Sequence, residues 1–281
     1  SFKMAGKWNL KFSNHSWIRE IHAATSVSWQ WEKMRETKSV SLNRPAAIAT
    51  QTETGESDGI YLPYNYVAQM EIDGKPLYVT VSARTHLAFP LGGLQNRMNL
   101  GVEWNYQKNL GKGQVFDVTR PISEGLSTRP RRFKDIPGLQ PFAFYAEEVL
   151  NLPVKRHKLA FTAGIRLQSL LGLDRKYEMQ GKIYPDLRLD LQWSLPTSNG
   201  WNIAFSGGLG WISRMPTTAQ LYPDFKYVDL IQLNYYHNHP DYRRINMMTY
   251  KWDNTNYQLE PARNMKWEVR ADIGYKGNRL S

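Results

Sequence analysis

The chain has 281 residues, of which 41% are hydrophobic and 22% charged, with a formal net charge of +11 and no cysteine. This composition excludes a disordered or collagen-like chain, and the absence of thiols excludes disulfide scaffolds, cysteine-ligated zinc, iron–sulfur clusters and thiol nucleophiles. No apolar run nears the ~18–20 residues of a membrane-spanning helix, so a helical membrane protein is excluded while one that crosses with strands is not. The basic residues are scattered and carry none of the usual nucleic-acid-binding motifs, so no nucleic-acid partner is expected. The chain opens at Ser1 without an apolar leader, which reads as a mature chain or a fragment.

From the N-terminus onward the dominant signal is alternation with period two, the signature of strands whose faces meet different surroundings. Residues 3–12 and 25–32 fit it, and between them Trp17–His22 is the one candidate for a short helical turn. Residues 77–87 follow, then 96–107, with Met98, Leu100, Val102, Trp104 and Tyr106 opposite Asn99, Glu103, Asn105 and Gln107. Residues 139–149 alternate less cleanly around Phe142 and Phe144. Residues 157–168 set Leu159, Phe161, Ala163, Ile165 and Leu167 against Thr162, Gly164, Arg166 and Gln168. The cleanest run is 185–195, where Leu187, Leu189, Leu191, Trp193 and Leu195 alternate with Asp186, Arg188, Asp190, Gln192 and Ser194. Residues 201–211 and 266–275 repeat it, the second with Trp267, Val269, Ala271, Ile273 and Tyr275 facing away from Lys266, Glu268, Arg270 and Asp272.

These nine segments are about ten residues long, the span of a tilted transmembrane strand. Their connections alternate between short ones near 90–95, 150–156, 196–200 and 276–278 and long ones near 37–76, 108–138, 169–184 and 212–264. Tight turns at one rim and elaborate loops at the other describe an up-and-down barrel. The stretch 60–72, ending at Asp73-Gly74, reads as a hairpin arm within the first long loop, because counting it as wall would break the alternation. Trp193 and Trp201 flank the turn 196–200 and Trp211 lies one strand-length away, as expected of two aromatic girdles. A soluble sandwich also alternates, but it does not call for long uniform strands or for loops sorted by length. The expected fold is therefore an all-β, antiparallel, transmembrane β-barrel. Residues 1–281 supply about nine to ten strands of it, since a tenth begins at Asn278. On that reading charges such as Arg166, Asp186, Arg188, Asp190, Glu268, Arg270 and Asp272 face the lumen and pair there.

Several stretches resemble one family. Trp201–Pro223 (WNIAFSGGLGWISRMPTTAQLYP) resembles a glycine-rich strand and the proline-bearing loop after it in TonB-dependent outer-membrane receptors. Leu259–Leu280 (LEPARNMKWEVRADIGYKGNRL) is similar to the next strand and turn of that family, and Phe142–Asp190 to the hairpins before. In that stretch F-x-x-Y-A-E-E begins at Phe142 and L-x-x-x-A-G-I-R at Leu159. Gly101–Asp117 and Arg129–Pro137 resemble the SusC/RagA-like version found in Bacteroidetes. The resemblance implies part of a 22-stranded barrel in the bacterial outer membrane. It implies import of a large substrate (glycan, peptide or metal chelate) with TonB energy coupling, and no enzymatic activity or cofactor. The partners it implies are outer-membrane lipid, the TonB complex through an N-terminal part, and a SusD-like surface lipoprotein. Neither a plug domain nor a TonB box is recognisable in these residues. The alternatives are a passive outer-membrane porin or structural barrel, and a soluble β-rich binding module.

The longest loop holds the candidate ligand-binding residues Tyr222, Tyr235, Tyr236, His237, His239, Tyr242, Arg243, Trp252 and Tyr257, with Tyr227 and Arg244 beside them. Aromatic faces stack on sugars and flat ligands, and arginine adds hydrogen bonds. The competing reading is a loop that packs these rings on itself. His237-Asn-His239 would present two imidazoles to one side if extended, but no third ligand is in view, so no metal site is expected. The loop 108–138 is basic through Lys108, Lys112, Arg120, Arg129, Arg131, Arg132 and Lys134 against Asp117, Glu124 and Asp135. Of these Lys112, Arg129, Arg131 and Arg132 are candidates for drawing in anionic groups. Gly111-Lys112-Gly113 lacks the spacing of a phosphate-binding P-loop.

Overall fold

The computed structural model describes residues 1–13, 16–91, 94–123, 127–155, 157–196, 200–275 and 278–280. Ten strands form one antiparallel sheet and pair in strict chain order. They are β1 (Phe2–Lys11), β2 (Ile18–Trp29), β3 (Pro76–Leu91), β4 (Leu94–Asn109), β5 (Gln140–Val154), β6 (His157–Leu171), β7 (Tyr184–Pro196), β8 (Trp201–Arg214), β9 (Ala262–Tyr275) and β10 (Asn278–Leu280). All nine expected strands are present, and β10 starts where a tenth was expected. The strands β3 to β9 run 13 to 16 residues, longer than the alternation alone marks, because their ends continue into the loops. Among the described residues the sheet is open: β1 and β10 each have one strand neighbour. No described helix is long and apolar enough to cross a membrane.

One sequence expectation changes. Trp17–His22 is not a helical turn, because Ile18–Trp29 is strand throughout. Pairing with β1 on one side and β3 on the other outweighs a local helical option in a segment rich in Ile, Thr and Val. β5 alternates poorly because Glu147 and Glu148 are adjacent, so one of them must share the apolar face. It is Glu148, in register with Met98 and Ala163.

Register sorts the side chains cleanly elsewhere. Leu150, Phe161, Leu191, Gly207 and Val269 share one row across five strands. A neighbouring row on the other face carries Arg84, Gly101, Tyr145, Arg166 and Asp186. The apolar face is uncovered: Leu187 and Leu191 are exposed, Phe161 and Ile203 half-buried, and Val269 is 77% accessible. No second layer of described residues lies against it. Aromatics gather at both ends of that face. Trp193, Phe205, Trp201 and Tyr275 stack by the short turns, the Trp193 and Phe205 rings 5.7 Å apart, while Trp104 stacks on Tyr106 toward the long loops.

The hydrophobic core sits in the loops instead. The long connections 30–75, 110–139, 172–183 and 215–261 leave the same rim and pack into a crown. Glu32–Ser41 and Asn65–Gly74 form an arm that carries the β2–β3 hairpin upward in unbroken register, Trp29 pairing Leu77 and Glu32 pairing Gly74. Gly113–Phe116 joins this arm as a third strand. Its register is offset by one residue from the β3–β4 ladder, and Asn109 bridges the offset by accepting from the backbone N–H groups of Lys75 and Gly111. Gly113, at φ 78°, sits where a Cβ would come within 2.0 Å of the Arg131 carbonyl oxygen, so only glycine passes there. One cluster beneath the arm holds Leu42, Ile48, Leu62 and Tyr66; a second holds Leu139, Leu170, Tyr177, Met179 and Leu221.

Candidate functional site

In the crown, loops from distant sequence converge on shared side chains. Lys226–Tyr235 and Arg244–Trp252 form a hairpin, and Gly55–Asp58 from the first loop adds to it as a third strand. The tip of this hairpin gathers six of the nine loop residues singled out from sequence. Arg243 organises them: its Nε donates to the His237 carbonyl (2.9 Å) and a terminal nitrogen to the Asn238 carbonyl (3.3 Å). Its guanidinium lies 4.7 Å over the Tyr236 ring. His237 meets Tyr242 edge-on at 5.2 Å and stacks near Tyr235, and His239 tilts against Tyr242. Tyr235 and Tyr242 remain largely exposed, the latter at 60%.

Two further tyrosines come to this cluster from the first long loop and were not singled out from sequence. Tyr61 packs edge-on to Tyr236 at 5.2 Å, with its hydroxyl on Asn234. Burial pushes its phenol above the ordinary value. A hydrogen bond with Tyr236 does the same for Tyr64. No local pattern marks these two, because their partnership spans more than 170 residues. The tip is thus an aromatic shelf around one arginine, with exposed ring faces and backbone carbonyls beside them. It can stack on flat or sugar-like groups and donate hydrogen bonds from a cation.

The other loop residues stand elsewhere. Tyr222 and Tyr257 pack against Tyr177 in the second core cluster, with centroids 5.9 and 5.1 Å from its ring. Trp252 lies at the opposite end of the hairpin, in register with Lys226, and is exposed. Tyr227 is buried under the Arg129 guanidinium, 4.8 Å from its centre. The His237 and His239 side chains do not converge on a shared ligand position: His237 Nδ1 accepts the His239 backbone N–H, and no described third ligand joins them.

Two of the four basic-loop candidates, Arg129 and Arg131, hold the crown together. Arg129 has 5% of its side chain exposed, grips both Asp229 oxygens at 2.9 and 3.1 Å, and donates to the Gln51 carbonyl. Thr249, fully buried, donates to the same carboxylate at 2.8 Å. Arg131 pairs with Asp224 and donates to the Tyr222 carbonyl. Arg132 and Lys112 stay exposed. Arg131 and Arg132, with Lys251, line a cleft of about 480 Å³ at the crown's flank. Lys251 is anchored there by Glu53 at 2.8 Å, a bond that raises its ammonium pKa. Glu124 lies outside the described residues.

No protein-family model matches the chain, and no curated protein matches it.

On the polar face of the sheet the charges pair with one another. Arg188 binds Asp190 at 2.6 Å, Arg270 binds Asp272 at 3.0 Å, and Arg166 approaches Glu103 at 3.4 Å. Asp186 is buried and accepts from the Ser213 backbone and hydroxyl and from Gln168. Gly208 leaves the space that Asp190 uses, since a Cβ there would stand 2.5 Å from the carboxylate.

Proposed function

We propose that this chain is part of a transmembrane β-barrel of the TonB-dependent receptor kind in a bacterial outer membrane, and that its crown captures a large substrate for import. The observation that carries the reading is the bare apolar face of the ten-stranded sheet. Each exposed Leu or Val left in water forgoes about 1.5–3 kcal/mol of burial. A face with many exposed apolar positions is stable only against hydrocarbon or another layer. Ten residues between Trp201 and Trp211 at ~3.3 Å each, tilted by about 40°, give roughly 25 Å, the height of a barrel's apolar band.

The crown favours a receptor over a passive pore. Its loops pair across the rim and form their own apolar core, rather than standing apart around an opening. The aromatic shelf at Tyr236, Tyr242 and Arg243 offers an exposed ring face and a cation together, and glycans or peptides suit its chemistry better than small ions. TonB coupling, a SusD-like surface lipoprotein over the crown and the absence of catalysis follow from the same reading.

The test is partitioning. Expressed with the rest of its gene product in a Gram-negative host, the protein should sediment with the outer membrane, resist alkaline carbonate and dissolve only in detergent. Release into the aqueous fraction by carbonate would overturn the barrel and the receptor together. Tyr242→Ala and Arg243→Ala should then each cut retention on an oligosaccharide or peptide array by about tenfold, leaving the membrane fraction unchanged.

A further inference from the structure

On the polar face, two imidazoles and a carboxylate from β2 and β3 converge near the N-terminal edge of the sheet. Glu20 and His22 sit two residues apart on β2, so they point the same way. His86 on β3 is the direct cross-strand partner of Glu20. One ligating atom of each lies within 4.8 Å of the other two, and His22 Nε2 is already 3.0 Å from a Glu20 oxygen. The two rings meet edge-on with centroids 5.5 Å apart. All three residues are half-buried.

What distinguishes this trio from a chance cluster is how both rings are held. His22 Nδ1 lies 2.5 Å from Asn9 Oδ1, and His86 Nδ1 lies 2.5 Å from Asn99 Oδ1. An amide oxygen only accepts, so with the two amides in these orientations each Nδ1 is the donor. The orientation of Asn99 is itself fixed, because its Nδ2 donates to Glu147 on the next strand at 3.2 Å. With Nδ1 protonated and occupied, Nε2 is the lone pair that each ring has left to offer. This is the outer-sphere arrangement that orients metal-binding histidines.

We propose that Glu20, His22 and His86 form a binding site for a divalent first-row transition metal, zinc foremost, with two imidazole nitrogens, one carboxylate oxygen and a fourth position open to water or to an incoming ligand. Two nitrogens and one oxygen are a donor set suited to zinc, copper or nickel rather than to calcium or magnesium. Tetrahedral ligand atoms ~2.0–2.2 Å from zinc stand about 3.3 Å apart. The His22–Glu20 pair is within about 0.3 Å of that spacing, and all three ligand atoms lie within 4.8 Å of one another. Metal entry would place the ion on the Nε2 nitrogen of His22 and a Glu20 oxygen, which already lie 3.0 Å apart. Lys11 is the register partner of Glu20 on β1, and Arg84 that of His22 on β3. These cations oppose a bare dication and favour a site whose open position takes an anionic group. The site rests on the sheet geometry and is independent of the barrel reading.

The experiment is calorimetric titration of the purified full chain with zinc chloride, alongside His22→Ala, His86→Ala, Asn99→Ala and a His237→Ala/His239→Ala control. The expected result is one zinc per chain. His22→Ala and His86→Ala should each weaken binding about 100-fold or more, Asn99→Ala about 10–100-fold, and the control not at all. Asn99→Ala keeps every ligand, so it reads the site even where a histidine variant folds poorly. Cobalt substituted for zinc should give the intense visible absorption of a four-coordinate site, and His86→Ala should abolish it. Absence of a stoichiometric zinc site, titration curves that His22→Ala and Asn99→Ala leave unchanged, or loss of binding only in the His237/His239 control would overturn the proposal.

Discussion

Arg129 shows how a single side chain decides what a basic loop is for. Its charge is desolvated between Gln51 of the first loop and Tyr227 and Asp229 of the Lys226–Tyr235 strand, so it ties three loops together. Removing one member of such a buried pair costs about 3–5 kcal/mol, since the other is left as an unpaired buried charge. Arg129→Ala should therefore loosen the crown and open 110–139 to protease at concentrations that leave the wild type intact. Arg129→Met with Asp229→Asn, which keeps an acceptor for Thr249, should restore most of the resistance. If Arg129→Ala digests like wild type, the pair is not what joins these loops. Tyr177 makes the second residue-scale case. Its hydroxyl donates to the Leu221 carbonyl in the core of the crown, and burial pushes its phenol up to about 12 from the usual 10. A folded-state value above the unfolded one means that this stability is complete below pH 10 and is lost as pH rises from 10 to 12. The loss amounts to at most about 2–3 kcal/mol. Denaturation midpoints measured from pH 8 to 12 should fall more steeply in wild type than in Tyr177→Phe. The variant should also be about 1 kcal/mol less stable at pH 8, where it lacks the hydrogen bond.

At the scale of elements, the face assignment of β7 is the point on which most depends. Leu189 is exposed on the apolar face and pairs with Leu209; Asp190 faces the other way and holds Arg188. Leu189→Arg should cost roughly 2–4 kcal/mol of membrane stability if that face meets the bilayer midplane, and so should sharply reduce outer-membrane yield. Asp190→Leu leaves the apolar face intact and should barely change it. Equal yields would undo the assignment. The wall was legible in sequence because its rule is local: alternate residues meet alternate surroundings, so Leu187 to Leu195 disclose their strand without reference to any partner. The departures have local causes as well. Glu147-Glu148 breaks the alternation of β5, and Trp17–His22 is drawn into strand by neighbours on both sides. The crown was legible only in its residue types. Aromatic composition pointed to Tyr235, Tyr236 and Tyr242. That Tyr61 joins them while Tyr222 and Tyr257 turn inward depends on contacts between loops far apart in sequence, and Glu20, His22 and His86 met the eye only once β2 and β3 were in register.

For the whole molecule, the open edges of the sheet set the sharpest test. In hydrocarbon every backbone N–H and C=O needs a partner, so a lipid-facing sheet must close on itself or on more strands. Ten strands are enough in principle for a narrow barrel, but barrels of about eight strands have interiors just wide enough for packed side chains. Here the inner face would carry Arg166, Arg188, Arg270 and their carboxylate partners, several of them exposed and ringed by polar neighbours. On the proposed reading, that content would suit the wide, wet or plugged lumen of a larger barrel, with further strands pairing at β1, at β10 or at both. Hydrogen exchange distinguishes the two. In detergent, residues 1–281 alone should leave the outward amides of Phe2–Lys11 exchanging within minutes, or protect them only in cross-linkable oligomers that pair edge to edge. In the complete gene product the same amides should be protected in the monomer. Slow exchange along Phe2–Lys11 in a monomer of 1–281 would mean that the sheet closes on its own, and the molecule would then be a small barrel rather than an arc of a large one.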